Sequence, residues 1–189
     1  MSNPRQPASQ SASIRGRAWL FGDDVDTDQI YPGKYLPLTD KKEMAKHAME
    51  GADNGEDFIK HVKKGDIIVA GKNFGCGSSR EHATVAITGI GVSVVIAKSF
   101  ARIFHRNAVN TGLPILELEQ VEKMKKGDVL EVNIENGEIK NITQNKVYKG
   151  KPVSSLEMEI MKAGGLLQYL AKTRRMRDKG TRRPGDKGN

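Results

Sequence analysis

A chain of 189 residues suits one domain with short appendages, and its single cysteine, Cys76, excludes a disulfide framework and any metal or cluster site built from several thiolates of this chain. No apolar run approaches the roughly 18 residues of a helical membrane span; no secretory pattern opens the sequence, so a cytoplasmic address is expected. The net charge of +8 sits at the ends: residues 172–189 hold eight Lys/Arg against Asp178 and Asp186, residues 1–17 hold Arg5, Arg15 and Arg17, and the 154 residues between carry 20 basic and 21 acidic side chains.

Residues 1–14, rich in Ser, Pro, Gln and Asn, are expected as a disordered extension, 15–171 as the folded domain and 172–189 as a basic, disordered tail. Arg17-Ala18-Trp19-Leu20-Phe21 reads as a first strand, followed by the acidic turn Gly22 to Asp28. Two short helices are predicted between Asp40 and Lys64, because Gly51 and Gly55 interrupt the helical pattern. Asp66 to Ala70 is a short apolar run of the kind buried on both faces. Then come a Gly-rich turn, a helix from Glu81 to Ile90, a strand from Val92 to Ala97, a helix from Phe100 to Asn110 stopping at Thr111-Gly112, and a strand from Leu113 to Leu118.

That alternation implies a parallel sheet with right-handed crossovers. Asp128 to Ile134 alternates, turns at Asn136-Gly137 and returns through Ile139 to Tyr148, a hairpin signal. Ser155 to Ala171 is predicted as one amphipathic helix buried through Leu156, Ile160, Leu167 and Leu170.

The densest chemistry lies in Gly71 to His82, which leaves a buried strand and enters a helix, where ligands of open α/β sheets bind. Glycines admit a ligand close to the backbone, helix-start amides attract anions, and Arg80 offers a planar fork for a carboxylate or phosphate. Dinucleotide and nucleophile-elbow patterns both require glycine where Arg80 stands, and the four histidines lack the spacing of a zinc site. Ser78-x-x-Glu81 reads either as a capping box or as part of a ligand site. The acidic turn reads either as a solvated turn or as a divalent-ion loop, without calcium-loop spacing. Cys76 is either a lowered-pKa thiol or a small packed residue.

Three segments in order, Gly22 to Ile30, Gly71 to His82 and Ala97-Lys98-Ser99-Phe100-Ala101-Arg102-Ile103-Phe104, resemble the small-subunit family of 3-isopropylmalate dehydratases, itself similar to the swivelling fourth domain of aconitase. The resemblance covers about residues 15–171. It implies an α/β fold, a layered β/β/α swivelling domain with a central parallel sheet and a C-terminal antiparallel hairpin, closing over a large subunit as a heterodimer or higher assembly. In that family the large subunit carries the 4Fe–4S cluster, so no metal ligand is expected here. The reaction implied is reversible dehydration of a small hydroxy acid, with iron as Lewis acid and a base removing the neighbouring proton.

Matched motif to motif, the base falls on Ser78 as an alkoxide and the substrate-carboxylate arginine on Arg80. Ser79 lies in the same contact turn, and Thr27 and Asp28 lie at the rim. The family's specificity loop falls on Lys34, Tyr35, Leu36, Pro37 and Leu38, where Leu36 and Leu38 suit an apolar isopropyl group and Lys34 is the cation available to a further carboxylate. Isopropylmalate is therefore the expected substrate, in leucine biosynthesis; the small subunit of a homoaconitase or of a dimethylmalate-type dehydratase is the alternative. A nucleic-acid module using the basic tail is the alternative from another class, and the neutral body with 5% aromatic residues argues against it.

Overall fold

Both halves of the sheet are built on β1 (Ile14–Leu20). The structure, a computed structural model, describes residues 13–180, with side chains through Arg175. Ile14 to Arg17 pair antiparallel with β5 (Val129–Asn133), and Ala18 to Leu20 pair parallel with β2 (Ile67–Ala70). With β3 (Val94–Ala97), β4 (Ile115–Glu117), β6 (Glu138–Asn141) and β7 (Lys146–Lys149), the seven strands run in the order β4-β3-β2-β1-β5-β6-β7.

The continuous apolar runs of β2 and β3 are explained by burial on both faces. Ile68, Ala70, Val95 and Ala97 point into a core with Phe58, Phe74, Ile87 and Phe104. Ile67, Val69, Val94 and Ile96 point the other way, against Leu130, Val132 and Ile139. The sheet thus curls so that its antiparallel half covers one face of its parallel half, while helices cover the other. This is the expected β/β/α layering.

The helical layer comprises α1 (Thr27–Ile30), α2 (Lys41–Ala45), α3 (Gly55–His61), α4 (Glu81–Gly89), α5 (Arg102–Thr111), α6 (Ser155–Lys162) and α7 (Leu166–Gly180). α4 and α5 are the crossovers between parallel strands, and α5 stops where Gly112 takes the left-handed conformation at φ 77°.

Two elements differ from the sequence-based expectation. The hairpin continues into a three-stranded meander, because the segment predicted from Ile139 to Tyr148 turns back after Asn141 and returns as β7. The single closing helix is two helices broken at Gly164 and Gly165. Both glycines have positive φ, and a β-carbon at Gly165 would lie 2.4 Å from the Asn110 carbonyl oxygen, so only glycine lets the chain pass α5 this closely. Of the expected apolar face Ile160 is buried, with Met158 and Met161 beside it, whereas Leu156, Leu167 and Leu170 are exposed.

Of the extension expected over 1–14, residues 1–12 lie outside the described residues, and β1 begins at Ile14. Of the tail expected over 172–189, α7 carries the chain as far as Gly180, and residues 181–189 lie outside the described residues. Among the described residues no helix is long and apolar enough to cross a membrane.

Candidate active site

The three segments singled out in the sequence meet at the C-terminal ends of β1, β2 and β3. The turn after β2 is stitched to the turn after β1 by backbone bonds: Gly71 N–H to Gly22 C=O (3.0 Å), Asp24 N–H to Lys72 C=O (2.8 Å), Gly75 N–H to Val25 C=O (2.8 Å) and Thr27 N–H to Cys76 C=O (2.9 Å). On its other side, Phe74 N–H donates to Ser99 C=O (3.0 Å), Ala101 N–H donates to Phe74 C=O (2.9 Å), and Asn73 N–H donates to the Ser99 hydroxyl (2.9 Å).

Within this frame Gly75 is obligatory. It lies at φ 79°, and a β-carbon there would sit 2.2 Å from Cγ of the buried Phe104 ring. Ser78 and Ser79 follow on the exposed side, and α4 begins only at Glu81. Its N-cap residue is Arg80, in extended backbone at φ −121° and ψ 104°, with no side-chain cap. Ser78 is therefore not a helix cap, and the capping-box reading of Ser78-x-x-Glu81 fails because the intervening backbone is extended. Cys76 resolves toward the packed reading: its thiol donates to the Asp24 carbonyl (3.4 Å), and burial, then Asp26 and Asp24, push its pKa up.

The acidic turn is exposed at Asp23, Asp24 and Asp28, as a solvated turn would be, yet its carboxylates bond within the protein. Asp23 accepts from the Lys72 amide (2.7 Å), Asp24 accepts from the Asn73 side-chain amide (2.8 Å), and Asp26 caps α1 through the Gln29 amide (2.8 Å). Among the described residues no group of three His, Cys, Asp or Glu side chains is placed to hold a metal ion. Thr27 is buried, with its hydroxyl oxygen 3.4 Å from where a β-carbon on Gly77 would stand, so the Gly-rich turn and α1 touch there.

Asp28 pairs with Arg80, whose guanidinium holds the Asp28 carboxyl below the usual carboxylate range; the Gly33 amide donates to the same oxygen (3.1 Å). Arg80 also reaches the Tyr31 carbonyl (3.5 Å) and is largely buried, with 17% of its side chain exposed against 62% for Asp28. The structure thus sets Asp28, Ser78, Ser79 and Arg80 on the face where the turns meet, with Ser78 and Ser79 exposed, Arg80 largely buried and Thr27 buried behind them.

The predicted specificity loop leaves that face directly. Gly33 to Tyr35 form a 3₁₀ turn, and a β-carbon at Gly33 would be 3.5 Å from Arg80 Nη2. Lys34, Leu36 and Pro37 are exposed, and Tyr35 and Leu38 are half-buried. Lys34 is not a free cation: its ammonium pairs with Glu50 (3.0 Å). Glu50 also accepts from the Tyr35 hydroxyl (2.8 Å) and meets His47 Nδ1 (2.6 Å), and the Tyr35 and His47 rings stack at 3.5 Å.

Sequence reading did not find His47, Glu50, the Tyr31 carbonyl or the Gly33 amide. His47 and Glu50 lie three residues apart in the turn that follows α2, a spacing that signals pairing with each other but not with a loop 12–16 residues earlier.

Comparisons with known proteins agree with this architecture. The family described as Aconitase C-terminal domain matches residues 20–122. The isopropylmalate/citramalate isomerase small subunit of Methanocaldococcus jannaschii is 58% identical over 160 residues, covering 84% of this chain and 94% of that one. The 3-isopropylmalate dehydratase small subunit 1 of Thermotoga maritima is 54% identical over 160 residues, covering 84% and 95%. A crystal structure of a 3-isopropylmalate dehydratase from Methanocaldococcus jannaschii superposes with a TM-score of 0.85 at 51% identity, covering 89% of this chain and 99% of that one.

Proposed function

The chain belongs to the aconitase C-terminal-domain family, among the small subunits of 3-isopropylmalate dehydratases, and from that membership we propose that it serves a hydro-lyase interconverting 2- and 3-isopropylmalate in leucine biosynthesis. The observation that carries the reading is the meeting of three strand-end turns on an open face presenting an uncapped serine beside a pre-oriented arginine.

The isomerisation removes water across two neighbouring carbons and returns it in the opposite sense. In our reading the Ser78 oxygen takes the proton from carbon and later returns it. A free serine is a very weak base, so its alkoxide needs support; the uncapped amides opening α4 and the Arg80 charge supply part of it. Arg80 receives a substrate carboxylate, with Asp28 and the Tyr31 carbonyl setting the direction of its fork. Ser79 and Thr27 complete the contact turn and the rim, and Leu36 and Leu38 meet the alkyl substituent.

The family works with an iron–sulfur cluster, and the residues of this chain do not fit one as ligands. There is a single cysteine in the sequence, and its thiol is turned to the Asp24 carbonyl. We therefore assign the cluster to a large subunit. The same partner would close the open face, in a cytoplasmic heterodimer or higher assembly.

The test is anaerobic co-expression with a large-subunit gene, followed by assay with 3-isopropylmalate, citramalate and homocitrate. Turnover of isopropylmalate is expected only with both chains present. Turnover by this chain alone, or a preference for homocitrate, overturns the reading.

A further inference from the structure

The loop predicted to choose the substrate is gripped from one side by a single carboxylate. Glu50 meets the Lys34 ammonium at 3.0 Å and the Tyr35 hydroxyl at 2.8 Å through one oxygen, and His47 Nδ1 at 2.6 Å through the other. Lys34 lies 4.7 Å from the centre of the Tyr35 ring, which also stacks on the His47 imidazole. The Tyr31 hydroxyl donates to the Tyr35 carbonyl (2.8 Å), fixing the backbone of the same residue.

The anchor is itself fixed to the site. Met49 N–H donates to Ile30 C=O (2.6 Å) and Gly51 N–H to Gln29 C=O (3.0 Å), so the backbone on either side of Glu50 is bonded to the end of α1, the helix that carries Thr27 and Asp28. A β-carbon at Gly51 would stand 2.7 Å from the Asp28 carbonyl oxygen, which shows how close the two segments run. Burial pushes the Glu50 carboxyl up, yet His47, Lys34 and Tyr35 hold it at about 2, so it is ionised throughout the neutral range.

We propose that Glu50 is a positioning residue for substrate choice: by holding the Lys34 ammonium and the Tyr35 hydroxyl to itself, it leaves Leu36 as the contact surface of the loop and denies an additional substrate carboxylate a cationic partner. The proposal rests on the reading that residues 34–38 meet the substrate's alkyl substituent. In physical terms an apolar pocket rejects a charged rival weakly unless the nearby cations are already neutralised, and Glu50 performs that neutralisation. Leu36, 37% exposed, is the large apolar side chain the loop then offers.

The decisive variant is Glu50→Gln in the complex co-expressed with the large subunit. Glutamine still accepts from Tyr35 but no longer neutralises Lys34. KM for 3-isopropylmalate is expected to rise about fivefold with kcat within about twofold, the signature of lost ground-state positioning. The ratio of kcat/KM for homocitrate over isopropylmalate is expected to rise about tenfold, and adding Lys34→Met is expected to restore it. In the full chain, hydrogen exchange at the amides of residues 34–36 is expected to accelerate about tenfold.

If the wild-type complex turns over isopropylmalate and Glu50→Gln changes neither the ratio nor the exchange, the clamp is wrong and the substrate reading stands. If exchange accelerates but the wild-type complex ignores alkylmalates, the substrate reading fails while the clamp on the loop survives. A ratio that rises but is not restored by Lys34→Met overturns the role given to the ammonium.

Discussion

Residues 71–76 are fixed by backbone hydrogen bonds to two neighbouring strand-end turns, whereas residues 33–38 are held chiefly by side chains reaching them from Tyr31, Asp28, His47 and Glu50. The first arrangement depends on side-chain identity at few positions, Gly75 above all. The second depends on it everywhere. A backbone frame holds the turn from which Ser78 and Arg80 follow, and Asp28 ties Arg80 down beyond it, which suits groups that carry the chemistry. A side-chain clamp is retuned by single substitutions, which suits a loop that selects among acids of similar shape.

The sharpest break of that contrast removes chemistry while sparing the frame. Ser78→Ala is expected to lower kcat of the assembled complex by about 10²–10⁴, the range of a lost proton-transfer group. The Ser78 hydroxyl makes no hydrogen bond among the described residues, so complex assembly and melting temperature are expected to stay at wild-type values. Steady-state kinetics and size-exclusion chromatography of the complex check both halves. Near-normal kcat would remove Ser78 as the base.

The converse break damages the frame and leaves the chemistry untouched. Gly75→Ala adds a methyl group at φ 79°, against the ring of Phe104, which packs edge-on to Phe74 at 5.1 Å and stacks with Phe100 at 6.1 Å. The clash and the backbone strain together are expected to cost about 2–4 kcal/mol, seen as a melting temperature lower by roughly 5–15 °C. Adding Phe104→Leu is expected to recover part of the loss, because the two sites share one contact. A fully additive double variant would show that strain at φ, and not the ring, sets the cost.

How much of this was legible in the sequence depends on what each residue pattern can encode. The apolar runs at Ile67 to Ala70 and Val94 to Ala97 announced buried strands because burial on both faces leaves no polar position in the run. The same four-residue pattern, however, gave opposite outcomes at two serines. Ser154-x-x-Glu157 is a capping box, with Ser154 in the extended conformation immediately before α6. Ser78-x-x-Glu81 is not, because Arg80 stays extended and takes the N-cap position itself, two residues beyond Ser78. Pattern names the residues able to cap, but the chain's path, here set by the pairing of Arg80 with Asp28, decides whether they do.

The Gly164-Gly165 break was equally present in the sequence, yet periodicity at Leu156, Leu167 and Leu170 concealed it; only the approach to Asn110 makes a glycine there necessary. The meeting of the three motifs was implied by family resemblance and not by spacing, since residues 22–28, 71–80 and 97–101 come together through strand order alone.

Acid titration sharpens the comparison from the side of the clamp, with the smallest expected effect. The Glu50 carboxyl is held at about 2 in the folded chain against an ordinary value of 4.5. A carboxyl lowered by folding stabilises the folded state above its unfolded pKa, and that contribution is lost as pH falls from about 4.5 toward 2. The wild-type chain is therefore expected to melt above Glu50→Gln by about 2–4 °C at pH 6–7, an effect on the order of 1 kcal/mol after screening of this surface-facing cluster. The gap is expected to close progressively below pH 4.5. Asp28, Asp57, Asp66, Glu122, Asp128 and Glu157 are lowered as well, so the wild-type curve alone mixes seven groups. Subtracting the Glu50→Gln curve cancels the other six and isolates the clamp. A gap independent of pH would mean that Glu50 contributes packing and not charge. A gap that widens in acid would reverse the sign and place the neutral carboxyl, not the carboxylate, in the Lys34–Tyr35–His47 cluster.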